Sequence, residues 1–175
     1  MKREILGSLR FFLLMTVICG GIYTLAVTGI AQLVFPHQAN GSLIKEESKV
    51  VGSALIGQEF TSEQYFHGRS SEVSQLSPYA PEYKEMIKER TATIQAENNS
   101  SAEVPADLVM GSASGVDPHI SLAAANYQAK RVADSRNVEI QRINDIIDTN
   151  KEKDLLTGNE YINVLVLNAA LDRLE

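Results

Sequence analysis

Cysteine and histidine are scarce in this chain of 175 residues, and tryptophan is absent. Cys19 is the only cysteine, so no disulfide can form within the chain. The three histidines, His37, His67 and His119, are far apart in the sequence and lack the close spacing of a zinc-binding motif. The sequence therefore predicts neither a disulfide-stabilised scaffold nor a metal site.

Charged residues are missing from Phe11 to Phe35. A helix of this length measures roughly 37 Å, whereas the hydrocarbon core of a bilayer is about 30 Å thick. Because a single segment in lipid satisfies its backbone hydrogen bonds only as a helix, we expect one transmembrane helix here. A cleaved signal peptide is the alternative, but its apolar region is shorter, about 7–15 residues.

Basic residues flank this apolar segment on one side only. Lys2, Arg3 and Arg10 precede it, and no Lys or Arg follows it before Lys45. The positive-inside rule therefore places the N-terminus in the cytoplasm. The expected parts are a cytoplasmic flank over 1–10, a transmembrane helix over 11–35 and an extracytoplasmic domain over 36–175.

Small and weakly polar residues recur every four positions along the apolar segment. They are Thr16, Gly20, Thr24, Thr28 and Gln32. Small residues let helix backbones approach closely in lipid, and Thr or Gln side chains can hydrogen-bond to a neighbouring helix. This small-residue stripe predicts packing on a membrane partner, although Gly and Thr are also common in membrane helices in general.

The part of the chain beyond the apolar segment is acidic. The whole chain has a formal net charge of −6, and its N-terminal flank is net basic, so residues 36–175 are more acidic still. An acidic domain is a poor ligand for nucleic acid or anionic lipid. Its length is sufficient for one domain with one core.

Hydrophobic periodicity in residues 36–175 predicts both helices and strands, hence an α+β domain. The expected strands cover 49–60 and 161–167, with a terminal turn over 169–174. The expected helices cover 81–98, 121–135 and 138–149, with Ser121 as an N-cap, and 104–109 is either a helical turn or a strand entry. The predicted fold is a single N-terminal transmembrane helix plus one soluble α+β domain.

The densest group of reactive residue types lies between Ser112 and Ser121, where Asp117 and His119 accompany three serines. A hydrolase would need a nucleophile and a base within hydrogen-bond reach. The nucleophile motif G-x-S-x-G is absent, however, and Pro118 stiffens the segment. A structural turn, with Asp117 and Ser121 bonded to local backbone N–H groups, is the favoured interpretation.

A phosphate-binding loop is a further alternative for residues 111–115, which are rich in Gly and Ser and precede a predicted helix. Backbone N–H groups at such a place can hold an anion. The lysine of a phosphate loop is missing, because the first lysine after Gly115 is Lys130. The match to a nucleotide site is therefore partial.

Several segments, in order along nearly the whole chain, resemble the C subunit of the Kdp potassium-transporting P-type ATPase. They are Gly52-Ser-Ala-Leu-Ile-Gly57-Gln58-x-Phe60, Tyr65-Phe66-x-x-Arg69-Ser70, Val104-Pro-Ala-Asp-Leu-Val109, Ser112-x-Ser114-Gly115-x-Asp117-Pro118-His119-Ile-Ser121, then Gln128, Arg131-Val-Ala133 and Arg136, and finally Val164-Leu-x-Leu-Asn168-x-Ala-Leu-Asp172. The chain departs from the usual family pattern after Arg69, where Ser70 replaces a proline.

The resemblance implies a non-catalytic accessory subunit of a high-affinity, ATP-driven potassium uptake complex in the plasma membrane of a bacterium. Its partners would be a K⁺-selective channel-like subunit, a P-type ATP-hydrolysing subunit that carries the catalytic aspartate, and a small peptide subunit. K⁺ is the ion that the complex carries, and no cofactor is expected in this chain.

The family is also described as a nucleotide-binding catalytic chaperone that raises the ATP affinity of the pump subunit. Under this alternative, ATP is the candidate ligand and Gln128 the candidate contact. An extracytoplasmic domain disfavours it, because ATP is cytoplasmic.

The resemblance assigns the remaining motif residues to structure or to subunit interfaces rather than to catalysis. Gly52 and Gly57 look like backbone requirements in a strand, and Arg131 and Arg136 like internal or intersubunit salt-bridge donors. The others with such a role are Gln58, Phe60, Arg69, Ser114, Gly115, Asp117, Pro118, His119, Ser121 and Asn168.

Overall fold

The computed structural model describes residues 2–46, 49–72 and 74–174, and the chain divides into two compact units, residues 1–43 and residues 44–175. The remaining positions lie outside the described residues, although they belong to the ranges predicted for the N-terminal flank and the outer domain. They are Met1, Glu47, Ser48, Val73 and Glu175.

The first unit contains one long apolar helix that runs from Lys2 to Val34 and is long and apolar enough to cross a membrane. It consists of α1 (Lys2–Val17), a π-helical turn (Ile18–Tyr23) and α2 (Thr24–Val34), followed by the short α3 (Pro36–Ala39). None of the residues in α1 or α2 is buried. Its large apolar side chains are therefore available to lipid, which agrees with the predicted membrane helix.

The π-helical turn lies within the small-residue stripe, between Thr16 and Thr24. In a helix of 3.6 residues per turn, positions four apart drift around the axis by about 40° per step. A π turn, in which hydrogen bonds span five residues, is wider and offsets part of this drift. Thr16 Oγ1 donates to Phe12 O at 2.8 Å and Thr24 Oγ1 to Cys19 O at 2.9 Å, so both hydroxyls are satisfied within their own helix.

The second unit is an α+β domain, as predicted. Its helices are α4 (Pro81–Glu97), α5 (Ala106–Val109), α6 (Leu122–Arg136), α7 (Ile140–Asn150) and α8 (Val164–Asp172). Its strands are β1 (Leu43–Glu46), β2 (Lys49–Ser53), β3 (His119–Ser121), β4 (Lys151–Lys153) and β5 (Glu160–Asn163), of which β1 begins at the boundary between the units. Strands β1 and β2 form one sheet, and an antiparallel sheet has the order β3-β5-β4.

The core lies where α6, α7 and α8 pack against the three-stranded sheet. Ile143 and Ile147 project from one face of α7, Ile162 comes from β5, and all three are almost completely buried. Each such side chain contributes about 1.5–3 kcal/mol of burial free energy. The buried side of α6 is mostly alanine, which lets neighbouring elements approach its backbone closely: Ala124, Ala125, Ala129 and Ala133.

The three long helices predicted for the domain are confirmed with shifts of one or two residues at their ends. α4 begins at Pro81, as expected from the preference of proline for a first turn. Ser121 is the N-cap of α6 and accepts a hydrogen bond from Ala124 N at 3.1 Å. Residues 104–109 contain the helical turn α5 rather than a strand.

The two predicted strands are wrong in their extent. The strand expected over 161–167 ends at Asn163, because the Asn163 side chain caps a helix by accepting from Leu165 N at 3.1 Å and Val166 N at 3.2 Å. The residues that follow form α8, which replaces the expected terminal turn. The strand expected over 49–60 ends at Ser53, and Gly57 N instead donates to Val116 O at 2.7 Å.

Candidate functional site

A polar cleft of about 740 Å³ lies in the described part of the domain. Its walls are formed by residues 57–61 and 67–72, by one face of α4, and by part of the loop over 115–118. Many of the residues singled out by sequence motifs line it together. They are Gly57, Gln58, Phe60, Arg69, Gly115, Asp117, Pro118 and Gln128.

Two carboxamide side chains hold the backbone beside the cleft. Asn168 accepts from Phe66 N at 2.9 Å and donates to Phe66 O at 3.0 Å. Gln128 does the same with the next residue, accepting from His67 N at 2.8 Å and donating to His67 O at 3.0 Å. Side chains from α6 and α8 thus pair with consecutive residues as a neighbouring strand would, although residues 66 and 67 belong to no strand.

The Gln128 amide has no hydrogen-bonding capacity left for a ligand. Its Nε2 also donates to Ala124 O at 3.3 Å, and its Oε1 also accepts from Arg131 Nη2 at 2.9 Å. Together with the bonds to His67, these contacts use both N–H groups and both oxygen lone pairs. Gln128 is almost completely buried beneath the cleft wall, although it was the candidate nucleotide contact.

Arg131 is a buried arginine that binds carbonyl and amide oxygens. Its Nε donates to Asn98 Oδ1 at 3.0 Å, and its Nη1 donates to Glu63 O at 2.5 Å and to Tyr65 O at 3.0 Å. Burial lowers the pKa of Arg131, which the charges of Glu97 and Glu63 oppose. The guanidinium therefore fixes residues 63–65 to α6.

Arg136 holds the same segment one turn further along α6. Its Nε donates to Gln64 O at 2.8 Å, its Nη2 forms an ion pair of 2.8 Å with Asp172, and its guanidinium lies 5.0 Å from the centre of the Tyr65 ring. Tyr65 OH in turn donates to Asp172 Oδ2 at 3.1 Å. Burial and the nearby Asp172 carboxylate raise the pKa of Tyr65.

The opposite wall of the cleft is organised by Asp117. Arg69 Nη1 lies 3.1 Å from Asp117 Oδ2, and Arg69 Nη2 donates to Gly111 O at 3.2 Å. Asp117 Oδ1 accepts from His119 N at 3.0 Å and lies 3.3 Å from His119 Nδ1. The Arg69 Nε atom is buried and has no hydrogen-bond partner among the described residues.

Serine hydroxyls in the 112–121 segment bond to nearby groups of the chain itself. Ser112 Oγ accepts from Asp117 N at 3.4 Å, and Ser114 Oγ accepts from Val116 N at 3.2 Å. Ser121 Oγ donates to Asp107 Oδ1 at 3.1 Å. This is the geometry of a turn and a helix cap, and the hydrogen bonds of the described residues do not join any of the three hydroxyls to His119.

His67 faces the cleft but is poorly suited to carry charge. Burial and the nearby Arg131 guanidinium lower the pKa of His67, although Glu97, whose carboxylate lies 3.6 Å from Nδ1, acts in the opposite direction. Over the described residues, no group of three His, Cys, Asp or Glu side chains is placed to hold a metal ion.

Comparison with known proteins identifies the family to which these motifs belong. Residues 5–173 match the family model KdpC, described as "K+-transporting ATPase, c chain". The chain belongs to the KdpC family.

Relatives named "Potassium-transporting ATPase KdpC subunit" match over nearly their whole length. One from Mycobacterium bovis (strain BCG / Pasteur 1173P2) is 42% identical over 99% of this chain and 100% of its own. One from Bradyrhizobium diazoefficiens is 42% identical over 99% of this chain and 98% of its own. One from Clostridium botulinum (strain Eklund 17B / Type B) is 39% identical over 94% of this chain and 93% of its own.

Other KdpC motif residues support the cleft from outside its lining, and Gly57, which lines it, is fixed by a close backbone contact. A Cβ atom at Gly52 would collide with the Gln58 side chain, and one at Gly57 would lie 2.8 Å from Asp117 O. The His119 ring packs edge-on against Tyr161, with 5.0 Å between the ring centres. Ser121, Arg131 and Asn168 hold the cap of α6 and residues 63–66.

Sequence reasoning missed several residues that shape this KdpC domain. Arg90 pairs with Glu72 at 2.7 Å across the cleft, Asp107 accepts from Ser121 N at 2.6 Å, and Asn163 Nδ2 donates to Ala54 O at 2.7 Å. The preference of asparagine for N-cap positions was a usable signal at Asn163. The Arg90–Glu72 pair depends on tertiary packing and leaves no local signal.

Proposed function

We propose that this KdpC-family chain is a non-catalytic accessory subunit of a potassium-transporting ATPase. Its domain docks outside the membrane on the K⁺-selective subunit, and its N-terminal helix packs on membrane partners through the small-residue stripe. The relatives' shared name supports membership of the complex, and the way in which the motif residues are used supports the accessory role.

The proposal rests on the observation that the motif side chains use their hydrogen-bonding groups on the domain's own backbone. Gln128, Asn168 and Arg131 bind the backbone of residues 63–67 instead of pointing into open space. Side chains used in this way fix the shape of a surface and contribute no reacting group. A preformed polar surface of this kind suits docking on a partner, since little conformational freedom is lost on binding.

The proposed orientation follows from the flanks of the apolar helix. Lys2, Arg3 and Arg10 lie before the membrane-crossing stretch, and basic flanks are retained on the cytoplasmic side. Residues after the helix are then extracytoplasmic and close to the entry side of a potassium uptake system.

Site-specific labelling tests this orientation sharply, because Cys19 is the only native cysteine. Ser101→Cys and Ser8→Cys, each in a Cys19→Ser background, place one exposed thiol on either side of the uncharged segment over 11–35. A membrane-impermeant maleimide added to intact cells or spheroplasts should label the first variant and leave the second unlabelled until lysis. The reverse pattern would exclude an extracytoplasmic domain.

A nucleotide-binding chaperone remains the second candidate, because the cleft is large, polar and bordered by Gly115 and by Arg69, whose Nε has no hydrogen-bond partner in the described part of the chain. Isothermal titration of ATP into the full-length protein and into Thr93→Trp, whose indole would occupy the cleft, separates the two. The accessory role predicts no saturable binding to either protein at millimolar ATP. Saturable binding to the wild type that Thr93→Trp removes would favour the second candidate.

A further inference from the structure

Two arginines lie on one face at the beginning of the apolar helix. Arg3 and Arg10 are seven residues apart within α1, which is a regular α-helix from Lys2 to Val17. Because each residue turns the helix by about 100°, seven residues fall only about 20° short of two full turns. Gly7 lies between the arginines, four residues after Arg3 and three before Arg10, and is their neighbour on the helix surface. These three residues form the Arg3–Arg10 face.

The Arg3–Arg10 face is open. All three residues are exposed, and a Cβ atom at Gly7 would have open space around it. Neither arginine side chain has an ion pair or a hydrogen bond with the described residues. Glycine is unfavourable in the interior of a helix, and here it leaves a gap with the helix backbone at its base and an arginine on either side along the axis. Such a gap can admit a small anionic group.

The depth of this face matches the headgroup layer of a bilayer that the apolar helix crosses. The uncharged segment starts directly after Arg10, so this arginine marks the edge of the hydrocarbon core. Arg3 lies about 10 Å further out along the axis, and the headgroup layer on each side of the core is roughly 5–8 Å thick. Both arginines belong to the one helix that runs from Lys2 to Val34. Lipid phosphates are therefore expected beside Gly7.

Beyond Arg10 the same face continues into the membrane with apolar side chains. Leu14 and Val17 lie within about 30° of the direction midway between the two arginines, and they are 57% and 61% exposed. Thr16, the first residue of the small-residue stripe, is about 130° away from that direction. The stripe and the Arg3–Arg10 face thus point different ways, so packing of the stripe on a membrane partner leaves this face to lipid.

The chemistry of the face favours a phospholipid with a net negative charge. A guanidinium binds phosphate oxygens through paired N–H groups, which a lysine cannot do. A zwitterionic lipid carries its own cation beside the phosphate, whereas phosphatidylglycerol does not. Non-specific attraction to an anionic membrane uses about four to eight Lys or Arg residues, and this flank has only Lys2, Arg3 and Arg10. Selectivity here depends on the two arginines and on the gap between them.

We propose that Arg3, Gly7 and Arg10 bind the phosphodiester of an anionic phospholipid. The phosphate lies against the helix at Gly7, the two guanidinium groups neutralise it from either side, and the acyl chains follow Leu14 and Val17. This rests on the proposed function only in that the helix crosses the membrane with its N-terminal flank in the cytoplasmic leaflet, and it requires no contact with other subunits. A lipid held in this way fixes the depth of the helix in the membrane.

The test measures lipid binding to the full-length protein by native mass spectrometry, with dioleoyl phosphatidylglycerol and dioleoyl phosphatidylcholine as probes. The wild type should bind phosphatidylglycerol about tenfold or more tightly than phosphatidylcholine. Gly7→Leu fills the gap without changing any charge and should reduce this preference to about twofold or less. The control Ser8→Leu adds a similar side chain about 150° away from the face and should keep the wild-type preference. Equal preference in Gly7→Leu and the wild type, or none in the wild type, would overturn the proposal.

A second variant and a soluble competitor separate the lipid from other anions. Arg3→Lys/Arg10→Lys keeps the charge and the orientation signal but removes the paired N–H donors, so the preference should fall about threefold or more. Circular dichroism of each variant should match the wild type, because leucine and lysine are good helix formers. Millimolar inorganic phosphate should leave the lipid bound, since the free ion has no acyl chains. Displacement by phosphate would indicate a site for soluble anions and would contradict the proposal.

Photo-crosslinking in cells identifies what covers this face. With p-benzoylphenylalanine in place of Leu14, the expected adduct is a phospholipid, and adducts only to another subunit would exclude a lipid site. Co-purification with the other subunits judges the accessory function separately. If the wild type recovers no subunit but keeps its lipid preference, the accessory function fails and the lipid site stands. If it recovers the subunits without a lipid preference, only the lipid site fails.

Discussion

At the scale of single residues, the domain depends on side chains that complete the hydrogen bonding of an irregular backbone. The segment over 62–69 is neither helix nor strand, yet Phe66 within it is completely buried. Buried backbone N–H and C=O groups are costly when unpaired. Asn168 and Gln128 supply the missing partners, and this explains why carboxamides occupy these positions.

Asn168→Ala removes both bonds to the buried backbone of Phe66. Leaving that N–H and C=O unpaired should lower the free energy of unfolding by about 2–4 kcal/mol. Chemical denaturation of the full-length protein in detergent measures the change. The exposed Asn159 offers a matched control, and Asn159→Ala should stay within about 0.5 kcal/mol of the wild type. Equal stability of the two variants would contradict the prediction that Asn168 stabilises the domain through the Phe66 backbone.

Two glycines that line the cleft differ in the space around them. An alanine Cβ at Gly57 would lie 2.8 Å from the backbone oxygen of Asp117, whereas at Gly68 its nearest neighbour is a Val164 methyl at 3.9 Å. Gly57→Ala should therefore destabilise the domain by about 1–3 kcal/mol through backbone displacement. Gly68→Ala should change stability by less than about 1 kcal/mol in either direction. Melting temperatures of the two variants provide the comparison.

His67 should make the stability of the domain depend on pH. Its pKa in the folded state lies below the ordinary 6.5, mainly through burial and then through Arg131. The unfolded chain therefore binds the proton more readily, and the contribution of neutral His67 to stability is present above pH 6.5 and lost as the pH falls below it. His67→Gln should show a smaller loss of stability than the wild type between neutral and mildly acidic pH. Parallel losses in both proteins would contradict this assignment.

At the scale of elements, helix boundaries are set by specific capping side chains. Ser121 ends β3 and begins α6, with its hydroxyl accepting from Ala124 N and donating to Asp107. Ser121→Ala should destabilise the domain by about 0.5–2 kcal/mol, the usual range for a lost N-cap. Ser121→Thr retains the hydroxyl and should recover most of that loss. Far-UV circular dichroism during urea unfolding distinguishes the three proteins.

The elements that sequence predicted well are those with a periodic apolar face and a local start signal. α4 has Pro81 at its first turn and α6 has Ser121 as its cap, so both starts were readable from neighbouring residues. The run after Asn163 was misassigned because a short, wholly apolar segment fits a buried helix as well as a buried strand. The strand after Lys49 was overextended because Gly57 packs on the backbone of residues 116 and 117, a contact distant in sequence.

The sequence motifs indicated which residues line the cleft but not the roles of their side chains. Family motifs singled out Arg69, Asp117 and Gln128, and these residues do meet around one cavity. Their roles were not readable from sequence, because the amide of Gln128 is directed to His67, which lies far away in the chain. Partners of buried polar groups are decided by tertiary packing, and spacing along a chain does not encode them.

At the scale of the whole molecule, the two units offer different kinds of surface to the partners of the proposed subunit. The domain offers a surface around the polar cleft, and the first unit offers a helix with no buried residue in α1 or α2. A helix that only anchored the domain in the membrane could carry large apolar side chains on every face. The small-residue stripe, interrupted by a π turn at Ile18–Tyr23, gives one side of this helix a surface that permits close approach.

Larger side chains in the small-residue stripe should impair assembly with the other subunits without impairing membrane insertion. Gly20→Leu/Thr24→Leu keeps the helix apolar, so insertion should persist, but the added side chains hold a partner helix away and should reduce recovery of the other subunits about tenfold or more. The control Ile22→Phe/Ala26→Leu adds volume on the opposite side of the helix, two residues from Gly20 and Thr24, and should assemble like the wild type. Membrane fractionation reports insertion, and co-purification with the tagged chain reports assembly. If Gly20→Leu/Thr24→Leu assembles normally, the helix is only a membrane anchor and the domain makes the contacts with the other subunits.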